Sequence, residues 1–340
     1  MFIPWYSPSV RLTGRWCTLY KPSKDTHRYI QPPETYTAAT APGSSFELGF
    51  RGSMCILKFD LGFLGQPYPH MWLSVNNGAA FEVPVDRYLR VSARGNGDHI
   101  LKCMYKGGME MLPRWYEPLM GVISFVGAQA EGEAPLPADD RPLIEFVGDS
   151  ITEGVLIDAD FDTVMPSPID QFNRPYQDDA AAAYGYLTAK RLNMRYMAQA
   201  YGATGMTRSG CGSVPRCGLT YEYVFDGVPY TGEKPDVIVI NHGANDRGAS
   251  CEEYLMRYEE FLRLVRKVNP SARVFALSAF CGAFDTELGA FIPRYNEKYG
   301  DTVCFVSSKG WLPEEPLHPL REGHRIIADH LYPIIRDALK

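Results

Sequence analysis

No stretch of this 340-residue chain approaches the roughly 20 apolar residues that a membrane-spanning helix requires. Basic residues are not in excess: 34 Lys and Arg stand against 40 Asp and Glu, a net charge of −6, with a pI near 5.7. A nucleic-acid surface needs clustered cations, so nucleic acid is not expected as a partner. The eight cysteines (Cys17, Cys55, Cys103, Cys211, Cys217, Cys251, Cys281 and Cys304) form no CxxC pair, which disfavours zinc knuckles and thioredoxin-type redox sites. Eight reduced thiols are the expectation. No HExxH motif occurs, and His324 and His330 are six apart, a spacing that does not put two ligands on one helix face. No metal and no cofactor are expected. There is no internal repeat and no low-complexity tract. The first ten residues lack a basic start followed by an apolar run, so no signal peptide is expected and the expected location is cytoplasmic.

What is present is an ordinary globular composition, 45% hydrophobic and 22% charged, long enough for two domains or one large α/β domain. Two textures meet near residue 135. Before it, short apolar runs alternate with turn residues at 45–50, 56–61, 71–75, 81–85, 99–105 and 122–128, and Asn76-Asn77-Gly78 marks a hairpin. Several short strands at such spacing predict an all-β sandwich or jelly roll over residues 1–134. Residues 131–142, charged and proline-rich, read as a linker.

From residue 143 the pattern becomes strand, loop, helix. Leu143–Val147 is a continuous apolar run, as a strand buried on both faces would be. Further buried strands are expected at 196–201, 237–241, 274–278 and 303–307, and helices at 179–192, 250–268 and 322–339. Ser250 and Glu253 have the spacing of a capping box. The alternation predicts an α/β domain over 143–340, a parallel sheet with helices on both faces.

Four segments carry chemistry. Gly148-Asp149-Ser150 follows the first buried strand, at the sheet end where ligands collect. Ser150 there opens a helix and is either a nucleophile or an ordinary cap. Gly202-Ala-Thr-Gly205-Met-Thr207 follows the next strand, where glycine lets a backbone N–H approach a ligand, or simply makes a turn. Gly243-Ala-Asn245-Asp246 follows a third strand and offers the Asn245 amide, or a turn. In Glu315-Pro-Leu-His318-Pro319, a neutral His318 could take and return the serine proton, and Glu315 could orient its ring.

In this order, these segments resemble the SGNH (GDSL) hydrolase superfamily over residues 143–340. The resemblance implies a three-layer α/β/α fold, with Ser150 as nucleophile, His318 as base, and an oxyanion hole built from Ser150 N–H, Gly205 N–H and the Asn245 amide. Gly210 and Gly212 offer alternative N–H groups. Arg11-Leu-Thr-Gly14-Arg15 and residues 45–52, followed by the linker, look like carbohydrate esterase family two, in which a β jelly roll precedes the SGNH domain. That implies removal of acetyl groups from hemicellulose sugars, with an acetylated xylan or mannan oligosaccharide as partner. The family's usual acid before the histidine is Asp. Here it is Glu315, so either Glu315 or a backbone carbonyl orients His318.

Trp311 is a candidate sugar-stacking platform or a core residue. Residues 155–178, with Asp158, Asp160, Asp162, Asp170, Phe172, Arg174 and Tyr176, form a long insertion that is either a lid or subunit contact, or a solvated loop. A homo-oligomer is compatible with the sequence. Two rival functions remain: an esterase or thioesterase of the same superfamily for other acyl chains, and a non-catalytic carbohydrate-binding protein.

Overall fold

The computed structural model describes residues 1–21, 34–62, 64–159, 170–313 and 315–340, excluding the side chains of residues 21, 34 and 170–173. Up to residue 133 every regular element among them is a strand: β1 (Phe2–Pro4), β2 (Val10–Thr13), β3 (Cys17–Lys21), β4 (Glu34–Ala39), β5 (Ser45–Arg51), β6 (Met54–Phe59), β7 (His70–Val75), β8 (Phe81–Pro84), β9 (Tyr88–Ser92), β10 (Asp98–Gly107), β11 (Ile123–Gln129) and β12 (Gly132–Glu133). One antiparallel sheet runs β3-β4-β11-β6-β9 with β1 on β11. The other runs β12-β5-β10-β7-β8 with β2 on β5. Alternate residues of β5 and β10 face inward: Phe46, Leu48 and Phe50, then Leu101, Cys103 and Tyr105. They meet Leu57, Phe59 and Phe125 from the facing sheet in one core, the arrangement of a sandwich. The Asn-Asn-Gly turn behaves as its residues require. Asn76 and Asn77 both have positive φ, and Gly78 N–H closes on the Val75 carbonyl at 2.9 Å.

The second half opens on β13 (Leu143–Gly148) and α1 (Ser150–Glu153). It continues through α2 (Asp170–Gln177), α3 (Tyr184–Arg191), β14 (Arg195–Ala200), α4 (Cys217–Thr220), β15 (Tyr223–Phe225), β16 (Val228–Pro229), β17 (Val237–Asn241), α5 (Cys251–Val268), β18 (Arg273–Leu277), α6 (Asp285–Tyr299), β19 (Cys304–Val306) and α7 (Arg321–Ala338). The parallel sheet has the order β14-β13-β17-β18-β19. Its period of two splits the apolar strands between two cores. Ile238, Ile240, Val274 and Ala276 pack against α5 and α6, and Val237, Val239, Phe275 and Leu277 pack on the side of α3 and α7. The result is three layers. Ser250 caps α5 by accepting the Glu253 N–H at 3.1 Å.

Buried charges join the halves. Arg15 donates to Glu145 in the middle of β13 at 2.8 Å and to the Tyr221 carbonyl at 2.6 Å, while Tyr221 Oη donates to the other Glu145 oxygen at 2.9 Å. Lys106, 1% exposed at the end of β10, donates to the carbonyls of Pro175 (2.7 Å), Tyr176 (3.0 Å) and Asp178 (2.8 Å). It thereby caps the C-terminal end of α2, where backbone carbonyls lack helical partners. All eight cysteines are unpaired. Among the described residues no helix is long and apolar enough to cross a membrane, and no three His, Cys, Asp or Glu side chains converge as metal ligands.

Candidate active site

Ser150 is the first residue of α1, directly beyond the carboxyl end of β13. Its N-cap, Asp149, accepts the Ile151 N–H at 3.0 Å and so fixes the turn from strand to helix. Ser150 N–H lies at a helix position that has no intrahelical acceptor. The Ser150 hydroxyl, on a residue only 7% exposed, shares a hydrogen bond of 2.8 Å with His318 Nε2. These two residues stand 168 apart in the chain, and the loop before α7 brings them together.

Burial holds the His318 pKa below the ordinary 6.5; the Glu110 carboxylate opposes this and Arg174 adds to it. The neutral ring, the form that can accept the serine proton, is thereby favoured to lower pH than in an ordinary imidazole. Glu315, Pro316, Leu317 and His318 line a cavity of about 510 Å3.

Asn245 lies beyond β17 in the same crevice. Its amide donates to the Thr204 carbonyl at 3.0 Å and to Asp149 Oδ2 at 3.3 Å, which ties the third motif to the first two. Burial raises the Asp149 pKa to about 7. Gly205 stands differently from the expectation of an open donor. Its N–H is taken by the Arg208 carbonyl at 3.1 Å. Asp246 dictates glycine there, because a Cβ on residue 205 would sit 2.5 Å from Asp246 Oδ1. Asp246 in turn accepts from Met206 N–H (3.1 Å), Thr207 N–H (2.8 Å) and the Thr207 hydroxyl (2.7 Å). Asp246 therefore organises the second motif.

Glu315 is exposed and makes no hydrogen bond to His318 among the described residues. Trp311 lies half-buried, its ring stacked on His330 of α7 at 5.0 Å and packed against the core of that layer. In the 155–178 insertion, Asp160 and Asp162 and the side chains of Asp170 and Phe172 lie outside the described residues. Its two ends are tied down. Asp158 is held by Arg321, which also reaches Asp179 at 2.9 Å, and Arg174 is held by Glu110 at 3.0 Å.

Sequence reading missed Glu110, Arg114 and Glu153. Arg114 forms a buried, two-pronged ion pair with Glu153, the last residue of α1, whose Oε2 also accepts the Gly202 N–H at 2.7 Å. Glu110 and Arg114 come from the β half, and no spacing rule links them to Ser150. The one local signal is the Gly107-Gly108 pair, which marks a close backbone approach; a Cβ on Gly107 would lie 2.8 Å from Asp178.

Residues 146–326 match the GDSL-like lipase/acylhydrolase family, more than half of the chain. The chain belongs to that family. An acetylxylan esterase / glucomannan deacetylase from Cellvibrio japonicus is 25% identical over 221 residues, which span 60% of this chain and 59% of that protein. Among solved structures, a family two carbohydrate esterase from Cellvibrio japonicus superposes with a TM-score of 0.76 at 19% identity, covering 99% of this chain and 97% of the other. An acetyl xylan esterase from the rumen bacterium Butyrivibrio proteoclasticus gives 0.70 at 21%, covering 98% and 96%. Both halves of this GDSL-like protein, sandwich and parallel-sheet domain, thus share the fold of those esterases.

Proposed function

We propose that the chain hydrolyses O-acetyl esters on hemicellulose-type oligosaccharides of the xylan or mannan class, through an acetyl-serine intermediate. The observation that carries the reaction type is the 2.8 Å hydrogen bond between the Ser150 hydroxyl and His318 Nε2. Ser150 Oγ attacks the acetyl carbonyl and its proton passes to Nε2. The C–O bond to the sugar then breaks, and the leaving alkoxide takes that proton. Water repeats the sequence on the acetyl-enzyme and releases acetate.

Ser150 N–H supplies one oxyanion donor, and Asn245 and Gly205 join it by exchanging an acceptor for the oxyanion: Asn245 gives up its 3.3 Å bond to Asp149, and Gly205 its 3.1 Å bond to the Arg208 carbonyl. Of the three, Ser150 N–H is fixed in advance, at a helix position without an intrahelical acceptor, and acts without such an exchange. The names of the similar proteins support the substrate class, since they combine acetyl esters with xylan or glucomannan.

The test is time-resolved NMR of acetyl loss from acetylated xylo- and manno-oligosaccharides, run beside a 4-nitrophenyl ester series. Acetyl release from the sugars, acetate turnover far above octanoate, and loss of both in Ser150→Ala are expected. Octanoate turnover above acetate, or sugar affinity without ester cleavage, would overturn the proposal.

A further inference from the structure

A general base serves its nucleophile only while it stays within reach, and a misplacement of about 1 Å can cost about a hundredfold in rate. His318 meets Ser150 across 168 residues of chain, so something must hold the two segments in register. The histidine loop passes directly into α7. Pro319 is buried and packed on the first turn of that helix so closely that a Cβ on Gly323 would lie 2.6 Å from Pro319 Cβ. His324 N–H closes the same turn on the Leu320 carbonyl at 3.1 Å, and the buried His324 ring accepts the Tyr184 N–H at 3.1 Å. The start of α7 and the backbone beside His318 therefore move as one piece.

A charge contact fixes that start. The N-cap of α7, Leu320, offers no side-chain acceptor, and the first helical residue is Arg321, a cation at the helix end whose field favours anions. Glu322 of the same turn lies exposed against Arg325 at 3.3 Å. The Arg321 guanidinium reaches away from the helix instead: Nη2 donates to Asp179 Oδ2 at 2.9 Å, and Asp158 holds it from the insertion.

Asp179 is only 2% exposed. Its other carboxylate oxygen accepts the Ala181 N–H and the Trp72 indole N–H, both at 2.9 Å, the second from β7 of the sandwich. Its backbone N–H donates to the Gly154 carbonyl at 2.9 Å. The approach is close, since a Cβ on Gly154, whose φ is +91°, would lie 2.7 Å from the Asp179 carbonyl oxygen. Gly154 is the C-cap of α1, and its N–H returns to the Ser150 carbonyl at 3.0 Å. One residue thus joins the turn that carries Ser150 to the helix that follows His318.

We propose that Asp179 is the positioning residue of the Ser150–His318 pair: its backbone grips the nucleophile turn, its carboxylate holds Arg321 and with it the histidine loop, and Trp72 of the sandwich fixes that carboxylate. The proposal rests on the Ser150–His318 reading. The groups bonded to Asp179 carry none of the reacting atoms, so it acts through Gly154 and Arg321.

Asp179→Asn keeps an oxygen for Ala181 and Trp72 and removes the charge that faces Arg321. In the full-length protein it should lower kcat for 4-nitrophenyl acetate by about ten- to a hundredfold, with KM unchanged. Labelling of Ser150 by an alkyl fluorophosphonate, which reads the activated hydroxyl without any acetyl substrate, should slow by the same factor. Arg321→Gln should reproduce both effects and Arg321→Lys restore part of them. The double variant Asp179→Asn/Arg321→Gln should be no slower than the worse single one, because the two substitutions break one contact. Trp72→Phe, which removes only the indole donor, should slow labelling in the same direction but by less. Should Asp179→Asn melt early, the half-exposed Arg321 tests the same contact from the surface. Labelling at wild-type rate in folded Asp179→Asn or Arg321→Gln, a raised KM with kcat intact, or losses that multiply in the double variant would overturn the proposal. If the wild-type protein is not labelled at Ser150, the Ser150–His318 reading itself fails. Labelling there at a rate that none of the variants changes removes only the role of Asp179.

Discussion

Arg114, from the segment between β10 and β11, reaches across the domain boundary and grips Glu153 at the end of the four-residue helix that Ser150 begins. Both side chains are at most 2% exposed. Glu153 passes the restraint to Gly202 through its second oxygen. The sandwich therefore fixes the backbone on two sides of the site: the nucleophile turn and the loop after β14.

This pair makes the first prediction. Arg114→Leu strands the Glu153 carboxylate in a buried site, and breaking a buried pair from one side costs about 3–5 kcal/mol. Chemical denaturation should show a loss of that order. Arg114→Leu combined with Glu153→Leu should recover most of it, because no uncompensated charge remains. A double variant as unstable as the single would mean that packing of the guanidinium on Tyr201, and not charge, dominates.

Asn245→Ala should lower kcat by about 10²–10³ with little change in KM, the usual effect of losing one oxyanion donor. Asn245 also binds the Thr204 carbonyl and Asp149, so a melting curve must accompany the kinetics. Wild-type turnover in a folded variant would remove Asn245 from the site.

Glu315→Ala should cost less than about tenfold in kcat. The residue is solvent-exposed and forms no bond to the His318 ring, whereas loss of a bonded triad carboxylate costs about 10⁴. A loss near that larger figure would show that the loop rearranges to bring Glu315 onto His318 during the reaction.

Asp149 and Asp178 are fully buried acids, each with a pKa raised from 3.8 to about 7. In both, burial outweighs the hydrogen bonds that favour the ionised form. Their folded forms bind protons more tightly than the unfolded chain does. Their stabilising contribution is complete below about pH 4 and is lost as pH rises toward and through 7. Asp178→Asn keeps an acceptor for the Leu156 N–H and removes the titration. It should flatten the decline in melting temperature between pH 4 and 7. An identical slope in wild type and variant would refute the raised Asp178 pKa.

Much of the fold is readable in the chain because its strongest signals are local. The apolar runs that became β13, β14, β17 and β18, the Ser250 cap and the Asn76-Asn77 turn need only neighbours in sequence. Helix α6 escaped because it starts without a side-chain cap, from Phe284 in the left-handed region, and carries Pro293 inside. The expected helix at 179–192 begins only at Tyr184. The preceding residues form a turn around Asp179, which accepts the Ala181 N–H and the Trp72 indole N–H, both at 2.9 Å.

The early strands β2, β3 and β4 are short and mix polar with apolar residues, so no alternation stands out. At the site, Ser150, Asn245 and His318 announce themselves through motif spacing. Glu110, Arg114 and Arg174 do not, since their partners are set by how the two halves dock.

That docking also limits how the protein can be rearranged. Residues 143–340 carry Glu145 inside a central strand and Glu153 beneath the nucleophile turn, and both find their guanidinium in the other half. A catalytic segment expressed without residues 1–134 would hold two anions in an interior with no counterion, and it should precipitate or fold only with those carboxylates protonated. Grafting a foreign sandwich in front of it meets the same obstacle unless the graft reproduces Arg15 and Arg114. Recombination between enzymes of this architecture should therefore succeed only when both halves are inherited together.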